Sequence, residues 1–213
     1  MIVQRLLEFT LNDKKLNWVD EVTYLGMRIS NDLSPAISIK DRIHAAEKKF
    51  YNYKKSIWSA TNIASRTKIQ LYCRLVRPSL LYGIHILNLR KSDEHLLEVF
   101  DMKCIRRILR IKWFDLISND RIMKSHDVKR IGNIVTQCRL LWLGKIYRMP
   151  DDRLPVKAFI YQPLGANSRG WPQATWVDCI KKDLDKTIIP IHLPISKIAV
   201  NEELWNKILS FID

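Results

Sequence analysis

Apolar stripes on helix-length segments, each flanked by rows of cations, constrain this chain more than any other feature. In residues 35–59, Ile39, Ile43, Ala46, Phe50, Tyr53 and Ile57 follow one another at alternating spacings of four and three. That is one continuous face of an α-helix. Lys40, Lys48, Lys49, Lys54 and Lys55 lie off it. A second helix is predicted from about Ser65, with Ile69, Tyr72, Cys73 and Val76 inward and Arg66, Lys68, Arg74 and Arg77 elsewhere. Pro78 ends or kinks it, because proline lacks the N–H and clashes with the preceding turn. A third helix is predicted after Ser92, read as its N-cap, with Asp93 and Glu94 at the positive end of the helix dipole. Its stripe is Leu97, Phe100, Cys104, Ile108 and Ile111. Lys103, Arg106, Arg107 and Arg110 form a second row, centred roughly a quarter-turn away.

The charge follows these helices. Residues 40–112 hold 17 Lys and Arg against 6 Asp and Glu, a net +11 out of +14 for the whole chain. Residues 150–213 net to zero. A local cationic surface on rigid helices is the footprint of a polyanion binder. The competing expectation is a helical protein-interaction module whose basic face meets an acidic partner. Sequence also leaves open a product with no selected function.

The remainder reads as follows. Residues 1–30 alternate as strands, with a turn at Asn12-Asp13 and a bulge or close backbone approach at Gly26. A fourth long helix spans about 127–148 and stops at Pro150. Residues 151–172, rich in proline and glycine, read as a linker. Shorter helices follow at about 173–186 and 201–212. The predicted fold is mainly α: a helical bundle with a small N-terminal β-hairpin and a smaller helical C-terminal extension. Its three parts are residues 1–34, 35–149 and 150–213.

No apolar run approaches the ~20 residues that span a bilayer, so no membrane partner is expected. Residues 1–10 carry Arg5 and Glu8 and lack a small-residue cleavage pattern, unlike a signal peptide. Cys73, Cys104, Cys138 and Cys179 show no metal-type spacing and read as reduced thiols, which points to an intracellular location, nuclear or cytoplasmic. Oligomeric state is not legible. Asp151-Asp152 is the one adjacent pair of aspartates, and it falls in a loop at a helix end rather than on a hairpin tip. The histidines and single glycines form no catalytic or phosphate-cradling pattern.

Several ordered motifs carry a resemblance. Val22-Thr23-Tyr24-Leu25-Gly26, Ile43-x-x-Ala46, Arg77-Pro78-Ser79-Leu80-Leu81-Tyr82-Gly83 and Cys104-Ile105-Arg106-Arg107-Ile108-Leu109 occur in that order. Arg139-Leu140-Leu141-Trp142-Leu143-Gly144, Arg148-Met149-Pro150-Asp151-Asp152-Arg153-Leu154-Pro155 and Arg169-Gly170-Trp171-Pro172-Gln173-Ala174-Thr175-Trp176 follow. Together they resemble the post-catalytic part of LINE-type, non-LTR retrotransposon reverse transcriptases. The resemblance implies that Tyr24, Leu25 and Gly26 form the primer-grip turn. It further implies that residues 36–112 form the thumb, which holds an RNA or RNA/DNA duplex by its phosphates, and that the rest is a C-terminal extension. The contacts implied are Lys48, Lys49, Lys54, Lys55, Arg66, Lys68, Arg74, Arg77, Lys103, Arg106, Arg107 and Arg110. The family's catalytic aromatic-x-Asp-Asp motif has no counterpart in these residues. A non-catalytic fragment without a cofactor is therefore expected, Mg²⁺ belonging only to the parent RNA-directed DNA polymerase. The chain departs from the pattern at His85, Lys145, Trp171 and Thr175, which thins the basic character of the tail.

Overall fold

The computed structural model describes residues 9–32, 34–161, 175–187 and 195–212. Among them, ten α-helices follow two small hairpins, the mainly helical class read from the sequence. In the first hairpin, β1 (Thr10–Leu11) pairs antiparallel with β2 (Lys14–Lys15). In the second, β3 (Glu21–Tyr24) pairs with β4 (Met27–Ser30). Both turn on two residues with positive φ: Asn12 and Asp13 at 48° and 58°, Leu25 and Gly26 at 48° and 76°. Two left-handed central residues make a type I′ turn, whose twist matches that of the strands. Gly26 is thus a turn residue and not a bulge. An isolated hairpin is marginal in water. Here the second one is tied to the helix that follows. Ser38 Oγ donates to the Arg28 carbonyl at 2.5 Å, and the Arg28 guanidinium forks onto Asp41 at 2.8 and 2.5 Å.

Helix α1 (Ala36–Asn52) buries the expected stripe, with Ile39, Ala46 and Phe50 in the core. It does not run on as an α-helix to Ser59. At Tyr53 it widens into one π-helical turn, Lys54–Trp58, with Trp58 N donating to Tyr53 O and Ser59 N to Lys54 O. The aromatic packing accounts for this. Trp58 stacks on Phe50 at 5.4 Å and its indole donates to the Phe50 carbonyl at 2.7 Å. The widened turn lets both contacts form.

Helices α2 (Ser65–Leu75), α3 (Arg77–Leu80) and α4 (Lys91–Leu109) close the first core around Tyr72, Val76, Leu80, Leu97 and Ile105, all fully buried. Pro78 sits in the first turn of α3, where its missing N–H costs nothing. The N-cap of α4 is Arg90 rather than Ser92, because the Asp93 carboxylate reaches back to accept the Arg90 N–H at 3.0 Å.

Helix α5 (Asn119–His126) ends on Asp127, whose left-handed φ of 53° breaks the chain direction. Helix α6 therefore starts at Ile131 and not near 127; it spans Ile131–Arg148. Its first half completes the first core through Ile131 and Val135, and its second half founds another through Leu140 and Leu143. Residues 154–160, expected as linker, form helix α7 (Leu154–Ile160). Pro155 lies in its first turn and starts it, where a linker reading took proline as a breaker. Helices α8 (Trp176–Asp185), α9 (Ile195–Val200) and α10 (Glu202–Leu209) pack on or around α6. Thr175 caps α8 and Asn201 caps α10 through their side-chain oxygens. Trp205 is fully buried, with its indole donating to the Leu140 carbonyl at 2.9 Å. Residues 162–174 and 188–194 carry the rest of the predicted tail motifs and lie outside the described residues. Among the described residues, no helix is long and apolar enough to cross a membrane.

Candidate nucleic-acid interface

Helices α1 and α4 lie side by side and place their polar flanks in register. Lys103 Nζ stands 3.7 Å from Glu47, a weak, exposed pair. One turn on, Arg107 Nη1 donates to the Tyr51 hydroxyl at 2.8 Å, with the guanidinium 5.8 Å above the Tyr51 ring. At the end of α4, Arg110 adopts a left-handed φ of 59° and reaches the Ser59 carbonyl at 3.4 Å. Lys54, carried by the π-helical turn, joins Arg107 and Arg110 around an open cavity of about 380 Å³ floored by Phe50 and Trp58. Three cations around one cavity, one of them over an aromatic ring, suit a phosphate with a base or sugar beside it.

The other candidates are distributed differently. By helical geometry, Lys48 and Lys55 point to solvent, between this groove and the opposite flank of α1. Lys49 lies on that opposite flank, beside the turn formed by Tyr24, Leu25 and Gly26. Tyr24 and Leu25 are exposed, and the Leu25 carbonyl accepts the Tyr82 hydroxyl at 3.0 Å. Arg66 and Arg74 line a separate hollow between α2 and residues 126–128. They do not converge with the α4 arginines.

Two cations assigned to the surface are inside the protein. Lys68 is buried and donates to the Trp58 and Ala60 carbonyls at 3.2 and 2.5 Å. It satisfies acceptors that the end of the π-helical turn leaves open. Arg77 is buried against Asp101, to which Nε and Nη2 donate at 2.8 and 2.6 Å, and Nη2 also meets the Lys129 carbonyl. Burial pulls the Arg77 guanidinium down, but the hydrogen bonds and charge of Asp101 outweigh it and hold its pKa above the ordinary value. Tyr72 completes the cluster by donating to Asp101 at 2.8 Å. Arg106 is half-buried, with two nitrogens on Asn119 Oδ1 and the Ile117 carbonyl. It clasps the loop after α4 and is not free for a ligand. These three were placed by spacing alone, which cannot distinguish a solvated cation from one paired with another element.

Sequence reasoning missed Arg42. It is 5 % exposed, packs 5.6 Å over the Tyr82 ring, and sits at the edge of the α1 apolar stripe, the one available signal that it turns inward. Asp151 and Asp152 are exposed in the turn between α6 and α7. Among the described residues, no cluster of His, Cys, Asp and Glu could hold a metal ion. Compared with protein-family profiles, curated proteins and solved structures, the chain finds no match.

Proposed function

We propose that this chain binds the sugar-phosphate backbone of a nucleic acid in the groove between α1 and α4. The observation that carries the reading is the convergence of Lys54, Arg107 and Arg110 on one aromatic-floored cavity within the most basic stretch of the chain. Phosphates fix position and register there, with little base readout. The resemblance to the thumb of non-LTR retrotransposon reverse transcriptases supports the same reading and names the ligand as an RNA or RNA/DNA duplex.

The test is binding of a labelled RNA/DNA duplex across a salt series. Three neutralised phosphates predict log K falling with log salt at a slope of about −2 to −3. Arg107→Glu with Arg110→Glu weakens binding tenfold or more, on the order expected for two lost charge-assisted contacts, while helicity is kept, because both side chains are exposed. Binding that ignores salt, or survives both reversals, refutes the groove. The chain by itself extends no primer, since the motif that would carry two Mg²⁺ ions has no counterpart in its sequence. Mg²⁺-dependent extension on an RNA template by the purified chain would overturn that part.

A further inference from the structure

On the flank of α1 away from the α4 groove is a second cavity, of about 460 Å³, walled by the β3–β4 turn, α1 and Tyr82. The volume is that of a ligand pocket rather than a packing defect. Arg42 lies in its wall with 5 % of its surface exposed. Among the described residues, neither its Nε nor its Nη2 meets a hydrogen-bond acceptor. The nearest carboxylate in the wall, Asp41, is already held by two hydrogen bonds from Arg28. The Tyr82 hydroxyl donates to the Leu25 carbonyl and so fixes the ring under the guanidinium. Burial lowers the Arg42 pKa, with Tyr82 and Asp41 pulling the other way. A buried guanidinium with unfilled donors is costly unless an anion completes it. Lys49 and Ser79 line the same cavity, Lys49 from an exposed position.

We propose that this cavity is an oxyanion receptor that takes a phosphate group on Arg42, with Lys49 as the second cation. A planar guanidinium offers two parallel N–H donors to a tetrahedral phosphate, a fit that a lysine in its place could not reproduce. The site is independent of the α1/α4 groove. It binds phosphate whether or not that groove binds nucleic acid.

The experiment follows thermal unfolding of the full chain in inorganic phosphate and, separately, in a short single-stranded oligonucleotide, each against chloride at matched ionic strength. A ligand that binds only the folded state raises Tm. Wild type is stabilised by one or both probes. Arg42→Met, which keeps length and loses the charge, is not, and its affinity for the effective probe falls about tenfold to hundredfold. Lys49→Gln, on an exposed position, gives a smaller loss and serves if Arg42→Met fails to fold. Arg107→Glu with Arg110→Glu leaves the phosphate response intact, which separates this site from the groove. A response to phosphate alone identifies a free phosphate ligand; a response to the oligonucleotide alone identifies a strand. No response in wild type, or equal responses in wild type and both single variants, overturns the proposal.

Discussion

Asp101 is fully buried and accepts from Tyr72 and Arg77, so removing its carboxylate strands Arg77 as a charge without an anion. Asp101→Asn is expected to cost about 3–5 kcal/mol, the penalty for breaking one side of a buried pair. Replacing both partners by apolar residues of similar size costs far less. Urea unfolding measures both, and a loss below about 1 kcal/mol for Asp101→Asn would show that water reaches the pair. Cys104 beside them makes a pH prediction. Burial pushes its thiol from an ordinary 9.0 up to about 12, and Tyr72 is raised for the same reason. The folded protein keeps these protons where the unfolded chain has lost them. Stability is therefore full below about pH 9 and declines as pH climbs toward 12. Unfolding free energy measured from neutral to alkaline pH checks the sign, and Cys104→Ala shallows the decline. At this scale sequence told residue type and not destination. Arg77, Lys68 and Arg107 all sit beside apolar stripes at helical spacing, and only the partner elements decide which becomes internal.

Among the elements, the seat of α10 depends on one missing side chain. A Cβ added at Gly144 would stand 2.4 Å from the Trp205 indole nitrogen, closer than any real contact permits. Gly144→Ala should therefore unseat α10 at a cost of about 1–3 kcal/mol. A lowered Tm together with faster proteolysis beyond residue 149 is the expected pair of results; an unchanged Tm would mean that Trp205 packs elsewhere. Helix positions were legible because apolar periodicity is local. Boundaries were less so where a distant group sets them. The π-helical turn after α1 depends on a Trp58–Phe50 stack and on Lys68 arriving from α2, contacts that helical periodicity does not encode. Helix α7 was hidden because proline marks both loops and first turns. Gly26 was read as a bulge or close backbone approach, whereas it is the second residue of the β3–β4 turn, and its neighbour Leu25 also takes a positive φ, a conformation that leucine gives no reason to expect.

For the whole molecule, the basic stretch of the sequence became three separate cationic places. One is the α1/α4 groove, one the Arg42 cavity, and one the hollow under Arg66 and Arg74. Net charge located the basic stretch but not this partition, because helices of a bundle turn neighbouring stripes to different sides. The second long-range feature is α6, which contributes to both cores. Arg139 on it is buried between Glu94 of α4 and Asp183 of α8, linking helices of the two cores through one guanidinium. A variant terminated after Met149 would retain α1 to α6 and yet display Leu140 and Leu143 to water, with Arg139 keeping Glu94 but losing Asp183. Such a shortened product is expected to sediment as aggregates rather than monomers. Helices α8 to α10 thus act as a built-in solubility cover, and any attempt to isolate the helices of the first core must carry that cover with it.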